Sequence, residues 1–65
     1  MQINDKKFNV ILANSGMTIN QAAKIAGISA QRYRMILNQK RATPQAVGKI
    51  ARSLGVDVTE IIDMD

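Results

Sequence analysis

Apolar side chains recur at three- and four-residue intervals along most of the chain, which is the spacing that one face of an α-helix produces. The spacing is clearest in two groups: Phe8, Ile11 and Leu12 near the start, and Val47, Ile50, Ala51 and Leu54 near the end. No segment combines sustained strand-like alternation with a hairpin signal. The hydrophobic pattern therefore predicts an all-α fold.

Capping residues and glycines divide this pattern into five predicted helices. The residues that can cap a helix N-terminus are Asn4 or Asp5, Thr18, Ser29 and Thr43, the last followed by a proline at the first helical position. Glycines that can end a helix are Gly16, Gly27 and Gly55. Asp57 and Glu60 have the spacing of a capping box, and two isoleucines follow them. The predicted helices span about residues 5–14, 18–26, 29–38, 44–54 and 58–63.

Length and composition narrow the class of protein. With 65 residues and no dividing linker or repeat, the chain is predicted to form one domain over residues 1–65. It has no cysteine, so no disulfide or thiolate metal site supplements the core, which is compatible with a reducing compartment. The longest apolar run, VILA at 10–13, is too short for a membrane span or a secretory signal. We expect a cytoplasmic protein.

The charge distribution points to a polyanionic partner. The formal net charge is +4, and all nine basic residues lie in a stretch from Lys6 to Val56 that contains no acidic residue. The acids lie outside it, at Asp5, Asp57, Glu60, Asp63 and Asp65. A basic body favours binding to nucleic acid. The alternative interpretation is that the charge serves only to keep the protein in solution.

The second and third predicted helices, joined by a short turn at Gly27, have the layout of a helix-turn-helix. Projected at about 100° per residue, the third helix has one apolar side, formed by Tyr33, Ile36 and Leu37. Gln31, Arg34, Met35 and Asn38 fall roughly opposite. Such a helix can enter the major groove of duplex DNA while the preceding helix crosses the backbone.

The polar side of the third helix carries chemistry suited to base edges. Gln31 can pair with adenine, Arg34 can reach guanine or a phosphate, and Met35 can contact a thymine methyl group. Arg32 lies to one flank and is predicted to contact a phosphate. Further predicted backbone contacts are Ser29, Asn38, Lys40 and Arg41, together with the exposed amides at the start of the second helix.

The segment TINQAAKIAGISAQRYRMILNQK resembles the helix-turn-helix of Cro/CI-type repressors, whose usual run is T-Q-x-E-L-A-x-x-x-G-V-S before a helix ending in E-N-G-K. The matching residues are Thr18, Ala23, Gly27, Ile28, Ser29, Asn38 and Lys40. The segment also resembles the lac-repressor motif A-x-x-A-G-V-S, through Ala23, Ala26, Gly27, Ile28, Ser29, Leu37 and Asn38. The preceding helix and the following TPQAVGKIARSLGVDVTEII favour the Cro/CI-type family, over about residues 5–62.

The resemblance implies a compact five-helix, lambda-repressor-like fold and a repressor of the phage or mobile-element type that binds double-stranded DNA as a homodimer. The family's base-reading sites fall on Ala30, Gln31 and Met35, and its backbone sites on Thr18, Asn38, Lys40 and Arg41. This chain departs from the family pattern at Ile19, Leu37 and Gln39. A dimer contact is expected at the loop between the third and fourth helices and at Val58, Ile62 and Met64.

Other classes of function have weaker support. Without histidine or cysteine, the serines have no evident activating base, so we expect no enzyme. The acids lack EF-hand spacing and there is no glycine-rich phosphate loop, so we expect no metal site and no cofactor. A chain this short has no evident room for a separate sensor domain, so we expect no small-molecule ligand. An antitoxin-like module could use the apolar and acidic end, residues 56–65, to bind a protein. RNA binding is compatible with the charge, but the only two aromatic residues, Phe8 and Tyr33, are both assigned to the core.

Overall fold

Four α-helices and one 3-10 turn form the chain in the computed structural model, which describes residues 1–39 and 41–63. The helices are α1 (Asp5–Ser15), α2 (Ile19–Ala26), α3 (Ala30–Gln39) and α4 (Pro44–Ser53), and the 3-10 turn is Val58–Glu60. The all-α prediction and the first four helices are confirmed. None of these helices has both the length and the apolar run that a bilayer crossing needs, within the described residues.

The helices begin where the cap chemistry predicts. The Asn4 side chain accepts a hydrogen bond from the backbone N–H of Lys7, and the Thr43 side chain accepts one from that of Ala46. Thr18 and Gln21 form a reciprocal capping box. Each cap satisfies a backbone N–H group that has no partner inside its helix, so these residues fix the helix starts.

The predicted fifth helix is wrong: it is a single 3-10 turn. The Asp57 carboxylate accepts from the backbone N–H of Thr59 at 3.2 Å and from its hydroxyl at 2.6 Å, instead of forming a capping box with Glu60. Beyond the turn, the carbonyl of Ile61 accepts from the N–H of Asn4 at 2.8 Å. Backbone groups that a helix would use internally are therefore committed to a distant segment.

That distant segment is the extended N-terminal stretch, for which the sequence pattern predicts no element. Ile3 forms an isolated antiparallel bridge with Ile62, and Gln2 forms one with Arg41. The N–H of Ala42 donates to the carbonyl of Met1 at 2.9 Å. The stretch thus ties the loop after α3 to the C-terminal part of the described chain.

Tyr33 of α3 lies at the centre of the core, as predicted, with 0% of its surface exposed. Its ring lies 6.2 Å from that of Phe8, centroid to centroid, and its hydroxyl lies 3.0 Å from Ser53 Oγ. Ser53 Oγ donates its one hydrogen to the carbonyl of Ile50 at 2.6 Å, so Tyr33 is the donor in the pair. Two small buried residues, Ala22 and Ala23, let α2 approach α3 and α4 closely.

Burial raises the pKa of the Tyr33 hydroxyl above its ordinary value of 10.0. The unfolded chain therefore ionises first as the pH rises, and the native state loses stability from about pH 10 toward the folded-state pKa. Tyr33→Phe removes this loss of stability at high pH. It also removes one hydrogen bond, which lowers the free energy of unfolding by about 1 kcal/mol at neutral pH. Urea unfolding of both proteins from pH 7 to pH 11 measures the difference. We expect the free energies of unfolding of the two proteins to converge above about pH 10. If their difference stayed constant or widened there, the effect of burial on the Tyr33 hydroxyl would be contradicted.

Candidate nucleic-acid interface

A short turn with a left-handed glycine joins α2 to α3. Gly27 has φ of +78°, and its N–H lies 3.2 Å from the carbonyl of Lys24. The N–H of Ile28 donates to the carbonyl of Ala23 at 3.1 Å, while Ser29 Oγ caps α3 by accepting from the N–H of Arg32 at 3.0 Å. Because the Ile28 side chain is half-buried against the core, the turn holds α3 in one orientation relative to α2.

One side of α3 is buried and the other faces solvent. Tyr33 and Ile36 are buried, and Leu37 is half-buried against the core. At about 100° per residue, the side opposite Tyr33 is formed by Gln31, Met35 and Asn38, and all three are exposed. We call these three residues the outer face of α3. Met35 has 50% of its surface exposed, as predicted.

Ala30, the remaining residue predicted to read bases from the start of α3, lies nearer the core than the outer face does. It is half-buried and packs against the buried cluster. Its methyl group therefore presents only part of its surface at the side of α3 on which Gln31 is exposed.

Arg34 lies on the α2 side of the outer face. Its Nη2 donates to Oδ1 of Asn20, in the first turn of α2, at 3.2 Å. Both side chains are exposed. The sequence carries no signal for this role of Asn20, because its partner is 14 positions away and the pair depends on how the two helices cross.

Arg32 lies on the opposite side of the outer face, at a cleft between α3 and α4. The cleft has a volume of about 70 Å³, and Lys49 of α4 lines it together with Arg32. The other lining residues are Ile28, Ile36, Thr43, Gln45 and Ala46, so the lining contains two cations and no acid. Lys49 was also missed from the sequence, since it lies beyond the helix-turn-helix segment.

The described residues among the other predicted backbone contacts lie at helix ends and in the loop after α3. Thr18 is exposed, and its Oγ1 accepts from the N–H of Gln21 at 3.1 Å, which leaves the hydroxyl hydrogen able to donate. Asn38 and Arg41 are exposed, the first in the last turn of α3 and the second in the following loop. Lys40 lies outside the described residues.

Acidic residues are confined to the two ends of the described chain. Helices α2, α3 and α4 contain five basic residues, Lys24, Arg32, Arg34, Lys49 and Arg52, and no acidic one. The acids of the described residues lie in α1, around the 3-10 turn and at position 63. A positive field over the helix-turn-helix attracts a polyanion. Within the described residues, no group of three or more potential ligands is placed to hold a metal ion.

The C-terminal residues predicted to form a dimer contact are placed differently. Ile62 is 6% exposed and packs in the core, so its side chain is not available to a second copy. Val58 is half-buried, and Met64 lies outside the described residues. Ile61 is buried as well, so neither isoleucine side chain is available to a protein partner of an antitoxin-like tail.

Residues 11–61 match the family model described as helix-turn-helix, so the chain belongs to the Cro/CI-type helix-turn-helix family. The matched range includes α2, the turn, α3 and α4. No curated protein and no solved structure matches the chain. The family implies DNA binding, and its domains are generally not enzymes.

Gly27→Ala is expected to lower the free energy of unfolding by about 1 kcal/mol, because an L side chain is disfavoured at positive φ. A methyl group there would meet no atom within 4 Å, so backbone strain alone causes the loss. Gly48→Ala, within α4 and equally open, is the matched control and should stabilise by about 0.5–1 kcal/mol. Urea unfolding measures the free energy of unfolding of both variants. If Gly27→Ala stabilised the protein as Gly48→Ala is expected to, the role of the turn would be contradicted.

Proposed function

We propose that this protein is a transcriptional repressor that binds a specific double-stranded operator as a homodimer, with α3 in the major groove. The observation that carries the proposal is the exposed outer face of α3, Gln31, Met35 and Asn38, with an arginine on each side. Repression requires only that the bound protein exclude a competitor from the same DNA. Two copies related by a two-fold axis would meet half-sites about 34 Å apart.

The base-reading role falls to residues on or beside the outer face. The Gln31 amide both donates and accepts, which matches the N7 and N6 groups of adenine. Met35 offers an apolar surface to a thymine methyl group, and Arg34 offers paired donors to guanine. Ala30, with its small and half-buried side chain, lets the start of α3 approach the bases closely.

The backbone role falls to cations, hydroxyl groups and the amide of Asn38, which lies on the outer face near the end of α3. Arg32 and Lys49 share an acid-free cleft, and a phosphate beside it would relieve the repulsion between the two charges. The remaining proposed backbone contacts are Thr18, Ser29, Asn38, Lys40 and Arg41. Each neutralised phosphate releases counterions, so such contacts make affinity depend on salt without depending on sequence.

Gln31→Ala is expected to cost about 1–3 kcal/mol of binding free energy and to relax the preference at one base position. Gln39→Ala is the matched control, since Gln39 is an exposed glutamine on the same helix but outside the outer face. The measurement is fluorescence anisotropy with a selected duplex and its single-base variants. Equal effects of the two substitutions, or an unchanged base preference in Gln31→Ala, would contradict the base-reading role.

Arg32→Ala and Lys49→Ala are each expected to weaken binding to all duplexes about equally and to reduce the slope of log K against log salt by about 1. Lys6→Ala makes the same charge change on α1 and serves as the control, with a smaller effect on the slope. Titrations of specific and random duplexes across a salt series provide the data. If wild-type affinity were equally weak for all sequences, specific recognition would be wrong.

A further inference from the structure

The hydrogen bond between Arg34 and Asn20 joins the two helices of the motif through exposed side chains. Nη2 of Arg34 lies 3.2 Å from Oδ1 of Asn20, which stands in the first turn of α2. The Thr18 cap and its reciprocal bond with Gln21 hold that turn, so Asn20 is presented from a fixed backbone. A long, flexible arginine side chain is thereby tethered at its charged end.

The chemistry of the tether leaves Arg34 able to bind DNA. A guanidinium has five N–H donors, and this contact uses one group on Nη2. Asn20 is neutral, so it orients the guanidinium without cancelling its charge. A carboxylate in its place would cancel that charge. An arginine that is already ordered loses less conformational entropy when it forms paired hydrogen bonds with a base.

Arg34 projects from the helix that the proposed function places in the major groove. It lies in α3, three residues after Gln31 and on the α2 side of the outer face, and is exposed there. A side chain that projects from the helix placed in the groove reaches base edges, and guanine presents two adjacent acceptors, O6 and N7, to the planar fork of an arginine. Arg34 is thus suited to a guanine, and loss of one base preference in Arg34→Ala distinguishes this contact from one with a phosphate.

We propose that Asn20 is a positioning residue for specificity: it holds Arg34 in the orientation that reads one guanine in each half-site. The inference rests on the proposed function, because it presupposes a specific duplex with α3 in its major groove. It adds a residue of α2 to base recognition, although Asn20 itself touches no base.

Selection from a random duplex library tests the proposal with five proteins: wild type, Asn20→Ala, Arg34→Ala, the double variant and Asn20→Asp. Wild type should enrich a guanine at one position of each half-site, and Arg34→Ala should lose that enrichment. Asn20→Ala should reduce it by about 2- to 10-fold at the same position only, the range expected for losing the pre-ordering of one side chain. The double variant should resemble Arg34→Ala.

Asn20→Asp and one further variant, Asn14→Ala, separate positioning from other roles. Asn20→Asp keeps an oxygen acceptor at the same place, so it should retain the guanine preference while its negative charge weakens binding to all duplexes. Asn14→Ala, an exposed asparagine on α1, should leave the selected sequence unchanged. Because Asn20 and Arg34 are exposed, their variants should fold normally, and circular dichroism melts verify this.

The outcomes distinguish failure of this inference from failure of the proposed function. If wild type enriches no motif, both are overturned. If wild type enriches a motif but Asn20→Ala keeps the full guanine enrichment, only the inference is overturned. The inference alone is also overturned if Asn20→Ala weakens binding to every duplex equally. It is likewise overturned if Asn20→Ala changes the selected sequence as much in the Arg34→Ala protein as in wild type.

Discussion

The anchoring of Tyr33 determines which residues α3 presents to solvent. Its buried ring contacts Phe8 of α1, and its hydroxyl donates to Ser53 of α4, so one residue fixes α3 against two other helices. The hydrogen bond constrains rotation of α3 about its axis more tightly than apolar contact alone, because a rotated helix would leave a buried hydroxyl without a partner. With Tyr33 directed inward, the helical repeat directs Gln31 and Met35 outward.

The two arginines beside the outer face have different surroundings, which supports different roles. Arg34 is tethered by a neutral amide from α2, and Arg32 stands beside a second cation from α4. An oriented guanidinium suits a directional contact with a base, whereas a pair of like charges suits the diffuse negative charge of the phosphate backbone. Under the proposed function, specificity and overall affinity would therefore depend on separate sides of the same helix, and each side includes a residue of a neighbouring helix.

Local signals in the sequence predicted the local parts of this structure. The helix starts at Asn4, Thr18, Ser29 and Thr43 follow from side chains that cap the nearest backbone groups, and the outer face of α3 follows from the helical repeat. Predictions from the sequence were wrong or incomplete where distant segments meet. The prediction of a fifth helix was wrong because the backbone groups of Asn4 and Gln2 form hydrogen bonds with the backbone of residues 61 and 63. The same pairing buries Ile62, which was predicted to lie at a dimer contact. The sequence did not predict a role for Lys49 or Asn20, because only the packing of the helices brings them beside Arg32 and Arg34.

The central claim, that the outer face of α3 contacts duplex DNA, is tested most directly by an NMR titration. The protein would carry ¹⁵N labels and ¹³C-labelled methionine methyl groups, and the ligand would be a selected duplex at moderate salt. We expect the largest shifts at the Gln31 and Asn38 side-chain amides and at the Met35 methyl group, with the exposed Val10 of α1 unaffected. A contact between the Met35 methyl and a thymine methyl would place α3 in the major groove. Shifts confined to α1, with the outer face of α3 unchanged, would contradict the account.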